Sequence, residues 1–155
     1  MQKPLSAERP YVAVNDAERE RLRSLVTGLS DEELRRGMPA GWTVAGVLAH
    51  IGFWDARILY LLDRWEGGTD PSEVDHEPED VDWVNDSAKP LCLALPPRDA
   101  ARLALRLAEE TDRRVEALDE KMLAKIEAGG NPINLSRAEH RKEHLDEVEH
   151  ALRRS

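Results

Sequence analysis

The residues of this chain best suited to chemistry are its histidines, and helix geometry sorts the five of them. His140 and His144 stand four positions apart, so at about 100° per residue they project about 40° apart from one face of a helix. Val148, Ala151 and Leu152 fall beside them on that wheel, which puts both imidazoles at the edge of a buried stripe. His150 lies about 120° from His144, on the charged face, and is excluded as a third ligand from this helix. The third candidate is His50, set between Val47 and Trp54 in an otherwise apolar run. Two facing helices can therefore bring three neutral imidazoles together, and three histidines plus water form an open site suited to zinc, nickel or iron. A blander reading stands beside this one. A lone His-x-x-x-His pair is equally a pair of solvated histidines in a charged helix, and a single His50 is equally a hydrogen-bonded core side chain.

Other groups are weaker candidates. Glu147 lies about 20° from His140 on the wheel, where it either orients a ligand, binds the metal or is simply solvated. Asp55 bonds a neighbour or faces solvent. Trp42 and Trp54 are expected in the core, with lining of the pocket as the lesser alternative, and Cys92 is expected to be buried rather than nucleophilic, with no histidine near it in sequence. Two Glu-x-x-His strings, Glu73–His76 and Glu147–His150, evoke a di-iron carboxylate bundle. The first sits in an acidic loop with prolines and the second uses the outward His150, so that reading fails; His76 is expected to be solvated.

The elements that must position these residues are helices. Asn15 with Glu18 opens a first helix, expected over 15–29, with Leu22, Leu25, Val26 and Leu29 on one face. Ser30 and Glu33 form a capping box for a short turn of helix. A second long helix is expected over 43–65, where Val44, Val47, Ile51, Trp54, Ile58, Leu61 and Trp65 recur at threes and fours. A short helix interrupted at Pro90 follows. The third long helix is expected over 97–127 behind Pro96 and Pro97. The fourth, over 136–153, follows a further box at Ser136 and Glu139. No segment alternates as a strand, so the fold class is all-α, a four-helix bundle.

Composition narrows the function. The chain has 155 residues with 41% hydrophobic and 34% charged, enough for a single domain with a sizeable core after an N-terminal extension of residues 1–14. A net charge of −9 with no local basic cluster argues against nucleic acid as a partner. The single cysteine, Cys92, rules out an internal disulfide and a paired-cysteine zinc site. The polar stretch Met1–Pro10 lacks the apolar core of a signal peptide, and Val44–Leu62 is broken by His50, Asp55 and Arg57. A cytoplasmic protein without a membrane span is the expectation.

Three stretches carry a resemblance. GWTVAGVLAHIGFWD from Gly41 to Asp55 resembles the second-helix signature of the DinB/YfiT-like metal-binding bundle superfamily. NLSRAEHRKEHLDE from Asn134 to Glu147 is similar to its last helix, which supplies the histidine pair. Asp82-Trp83-Val84-Asn85 followed by Leu95-Pro96-Pro97-Arg98 resembles the middle of its members. The resemblance implies an up-down-down-up bundle, often a homodimer, with a divalent metal on His50, His140 and His144. It also implies use of that metal to activate a low-molecular-weight thiol, such as mycothiol or bacillithiol, for transfer to a small-molecule substrate. The Trp83–Leu95 segment carries more apolar residues than a small surface helix needs, in keeping with pairing. Two other functions stay open: a non-catalytic bundle that sequesters a metal or small molecule as a stress or resistance factor, and an interaction module with a purely structural metal. An open coordination position favours the enzyme, a sizeable apolar pocket without bound metal favours the sequestering bundle, and a fourth protein ligand such as Glu147 favours the structural site.

Overall fold

The computed structural model describes residues 9–72 and 81–154, which form seven helices. They are α1 (Tyr11–Gly28), α2 (Asp31–Leu34), α3 (Val44–Glu66), α4 (Val81–Ala94), α5 (Pro97–Glu116), α6 (Glu120–Ala128) and α7 (Ala138–Arg153). Among the described residues there is no strand, only an isolated bridge between Gly37 and Thr43. The all-α expectation holds.

The helix directions follow from which side chains meet. Along α1 and α7, Asn15 meets Ala138 and Arg21 meets Asp146 and Glu149, so the two run parallel. Arg19 meets Asp112 and Arg23 meets Glu109, so α5 runs against α1. On α3 and α7, His50 approaches His140 while Asp55 pairs with Arg137, an antiparallel pair. The order of α1, α3, α5 and α7 is therefore up, down, down, up. Parallel α3 and α5 pack closely because small residues face each other: a Cβ on Gly52 would come within 3.4 Å of the Ala104 Cα, and Ala100, Ala101, Ala104 and Ala108 are all buried.

Local signals set most helix starts. Ser30 and Glu33 form the expected reciprocal box at α2. The Thr43 side chain accepts from the Gly46 N–H and starts α3. Four boundaries depart from expectation. α1 begins at Tyr11, inside the stretch expected as an extension, and Asn15 is buried within it. Its amide instead donates to the Leu135 carbonyl and accepts from the Ala138 N–H, so Asn15 holds the start of α7 from across the bundle. The box expected at Ser136 does not form, and α7 starts two residues later. The helix expected over 97–127 breaks after Glu116, because Asp119 accepts from the Met122 N–H and caps a new helix, α6. Pro90 lies inside a continuous α4 rather than interrupting it.

The core is split. One apolar cluster includes Leu22, Val26, Leu48, Ile51, Ala104, Leu145 and Val148, and another includes Ile58, Leu61, Trp65, Val115, Ile126 and Ile133. Buried Asp55, Thr111, Asp112 and Arg141 come between them in sequence along α3, α5 and α7. By length and composition α3 passes as a membrane span despite His50, Asp55 and Arg57, but most of its apolar stretch is buried inside the bundle. Core packing accounts for those residues.

Candidate metal centre

α3 and α7 cross so that His50, His140 and His144 converge, each offering one ring nitrogen within 4.8 Å of the other two. The ring centroids are 5.2 Å (His50–His140), 4.7 Å (His50–His144) and 4.6 Å (His140–His144) apart. The pair on α7 stands together because one turn separates them, whereas His50 is delivered by the antiparallel approach of α3. The Nε2 atoms of His50 and His140 are 3.3 Å apart. Two nitrogens each about 2.0–2.1 Å from one tetrahedral ion are separated by about 3.3 Å, so this spacing fits a shared metal. It also fits a single hydrogen bond, so the rest of each ring matters. His50 and His140 both have a buried Nδ1 without any protein partner. An ion held at Nε2 cannot also meet these Nδ1 atoms, which sit on a different edge of each ring, so the metal reading rests on the convergence of the three rings.

Electrostatics hold these rings in the ligand form. Burial, with the charge of His144 as a smaller contribution, lowers the His50 pKa to about 4. His140 falls to about 3, first through burial, then through the charges of His144, His50, Arg137 and Arg141. Both rings are therefore neutral at pH 7, with lone pairs free for a metal. The Nδ1 of His144 lies 3.4 Å from the Glu147 carboxylate. In the tautomer where Nδ1–H donates to it, the other nitrogen carries the lone pair. Glu147 does not join the cluster as a fourth ligand atom; it is half-exposed and stands behind His144.

The site opens to solvent through a cleft of about 360 Å³ lined by Trp42, Val47, His50, Asp82, Asn85, Asp86, His144 and Glu147. Trp42 is half-buried, packs against the main apolar cluster and stands edge-on to the His50 ring at 5.7 Å, so it joins the core and also walls the cleft. The 3₁₀ turn Pro39–Gly41, with Ala40 at φ 60°, brings it there. Trp54 is also half-buried, and its indole donates to the Asn85 side chain at 2.7 Å, fixing α4 against α3. His150 is exposed and outside the cluster, as the helix wheel requires. His76 and Glu73 lie outside the described residues. Cys92 is buried, and burial raises its thiol pKa, which keeps it protonated and unreactive.

One feature beneath the histidines had no local signal. Asp55 is 1% exposed and accepts from Arg137 Nε at 3.0 Å and Arg141 Nη2 at 3.2 Å. Arg141 also makes a two-pronged contact with Asp112 at 2.8 Å, and Arg19 binds the same carboxylate. This chain of charges ties α3, α5, α1 and α7 together next to His140. Asp55 is thus a buried structural anion and not a surface residue. Arg137 and Arg141 are spaced like the histidines, but the pattern of a charged helix gave no means of telling buried arginines from solvated ones.

An all-helical bundle with three converging imidazoles and an open side fits a metal-binding protein. The family model of the DinB superfamily matches residues 15–148, and the chain belongs to that superfamily. No curated protein and no solved structure matches it.

Proposed function

We propose that the chain is a divalent-metal-dependent enzyme that transfers or rearranges a low-molecular-weight thiol, with His50, His140 and His144 as the metal ligands. The observation that carries this reading is the convergence of three imidazoles, each offering a ring nitrogen within 4.8 Å of the other two, with His50 and His144 lining an open cleft. His50, His140 and His144 would hold a divalent ion, and the chemistry it would supply when bound is Lewis-acid activation of a thiol at neutral pH. The protein's share is positional. α3 and α7 present the rings, Glu147 orients His144, Trp42 walls the cleft beside His50, and the Asp55–Arg141–Asp112 pairs hold α7 in register. Zinc, nickel and iron all suit this donor set. Because Glu147 stays out of the cluster, the side facing the cleft remains open, which favours a reactive site over a closed structural one.

The test is elemental analysis of purified variants, followed by turnover with a panel of thiols. Replacing His50, His140 or His144 singly with Ala sharply reduces bound metal, while His150→Ala and His76→Ala leave it unchanged. Full occupancy after loss of His50 overturns the site. Bound metal without turnover of any thiol leaves the alternative, a non-catalytic metal- or small-molecule-binding protein.

A homodimer is part of the proposal. Trp83 (59% exposed), Leu91 (75%), Phe53 and Leu95 border an apolar groove of about 700 Å³ between α3, α4 and α5. Exposed apolar surface of this kind favours a partner. Sedimentation showing a dimer that Leu91→Asp dissociates supports it; a monomer at micromolar concentration removes it.

A further inference from the structure

The three histidines are divided between two helices, His50 on α3 and His140 with His144 on α7, so the placement of one helix against the other decides whether they meet. A single carboxylate on α3 bears on that placement. Asp55 lies five residues beyond His50, and because α3 runs against α7 it comes level with the residues around the start of α7. Both of its oxygens are engaged there. Oδ1 accepts from Arg137 Nε at 3.0 Å and Oδ2 accepts from Arg141 Nη2 at 3.2 Å. The two arginines leave the chain one helical turn apart and take different oxygens of one carboxylate. Such a two-point contact resists both sliding and rotation of α7 against α3, and all three side chains are buried. Asp112 is the counterpart on α5. It is buried as well, and it accepts twice from Arg141 and once from Arg19, each at 2.8 Å. The two carboxylates thus share burial, charge and Arg141. They differ in the helix that each brings to α7: α3 carries a histidine of the cluster and α5 carries none.

We infer that Asp55 is a positioning residue of the three-histidine centre, holding His50 opposite His140 and His144 through Arg137 and Arg141, whereas Asp112 ties α7 to α5 and α1 without setting the site. This inference rests on the metal-binding reading above and adds to it a residue that touches none of the ligand atoms. The physical ground is a difference in tolerance. A packed bundle survives a small displacement of one helix, but ligands to one ion must be held within about 0.5 Å of the productive geometry. Loss of either carboxylate leaves a buried guanidinium short of a partner and destabilises the fold. Loss of Asp55 alone also frees α3 from α7 beside the histidines. Stability and metal affinity therefore separate between the two positions.

The test titrates the full chain and two near-isosteric variants, Asp55→Asn and Asp112→Asn, with cobalt(II) below the unfolding temperature of each. Cobalt absorption reports coordination geometry together with occupancy. The expected result is that Asp55→Asn binds cobalt about 10-fold more weakly, with a displaced visible band, while Asp112→Asn keeps the native band and stays within about 2-fold of the native affinity. Both variants melt below the native chain, so lost stability by itself does not produce the split. A milder pair repeats the comparison where either variant does not fold. Arg137→Lys keeps the charge but not the guanidinium fork on Asp55 and weakens cobalt binding about 3-fold, whereas Arg19→Lys leaves it unchanged. Native affinity and band in Asp55→Asn, or in Arg137→Lys where Asp55→Asn does not fold, overturn the inference and leave the metal reading standing. Equal weakening at the Asp112 and Asp55 positions overturns it in the same way. Absence of cobalt uptake by the native chain overturns the metal reading itself and this inference with it.

Discussion

Two polar clusters sit side by side on α3 and α7, and they treat their polar atoms in opposite ways. Asp55 and Asp112 are satisfied by the arginines, each carboxylate meeting at least two of their donors at 2.8–3.2 Å, while Arg141 keeps one buried nitrogen, Nε, without a partner. Next to them, His50 and His140 make a single contact with each other and leave both Nδ1 atoms without a partner. The first cluster uses most of its hydrogen-bonding capacity inside the protein and contributes register; the second leaves a nitrogen on each of two rings that no protein group uses. His50 is as deep as Arg137, both at 7% exposure, whereas His140 is only partly buried, so burial alone does not distinguish a structural polar group from a functional one. The partner inventory does.

The largest expected effect tests the structural side. Arg141→Ala leaves buried Asp55 with Arg137 alone and buried Asp112 with Arg19 alone, and is expected to cost about 3–5 kcal/mol in urea unfolding of the metal-free protein. His140→Leu, which replaces an imidazole whose Nδ1 has no partner with an apolar side chain, is expected to cost under about 1 kcal/mol or to stabilise. Equal losses for the two variants would erase the distinction between the clusters.

Next in size is the effect of metal. A ligand bound only by the folded state stabilises by about 2.7 kcal/mol at a hundredfold excess over its Kd. Zinc at that level is expected to raise the melting temperature of the native chain and to leave that of His140→Leu unmoved. A shift of the same size in the variant would mean that the stabilising ion sits elsewhere.

A pH effect follows in the metal-free protein. His50 and His140 titrate in the folded state at about 4 and about 3, against about 6.5 for an unfolded chain. Between those values the unfolded state binds more protons, so stability rises with pH. The contribution is fully present above about pH 6.5 and is lost as pH falls toward 4 and 3. Urea midpoints at pH 7 and pH 4.5 should differ less in His140→Leu than in the native chain; an identical difference would show that His140 is not held neutral by its surroundings.

The smallest expected effect concerns Glu147. Glu147→Gln weakens its interaction with His144 without touching the core, so unfolding is unchanged and metal affinity drops about 10-fold. A drop as large as that from losing His144 would make Glu147 a ligand.

The sequence by itself determined the parts whose cause is local. Apolar residues at threes and fours define the four long stripes, Ser30 and Thr43 cap the helices that follow them, and a spacing of four puts His140 and His144 on one face whatever surrounds them. Tertiary structure decided what depends on contacts distant in the chain. His50 becomes a partner of His140 across 90 positions only because α3 runs antiparallel to α7. Asn15 looks like the cap of its own helix, yet it serves α7 because Tyr11–Val14 are already helical and its amide faces the open N–H of Ala138. Asp119 reads as one more acid in a charged helix until its carboxylate takes the Met122 N–H and divides that helix in two. Arg141 carries the same formal charge as its solvated neighbour Lys142, and its burial is settled by Asp55 and Asp112 waiting on two other helices. Periodicity tells a residue's direction from its own helix axis; what stands in that direction is a property of the packed bundle.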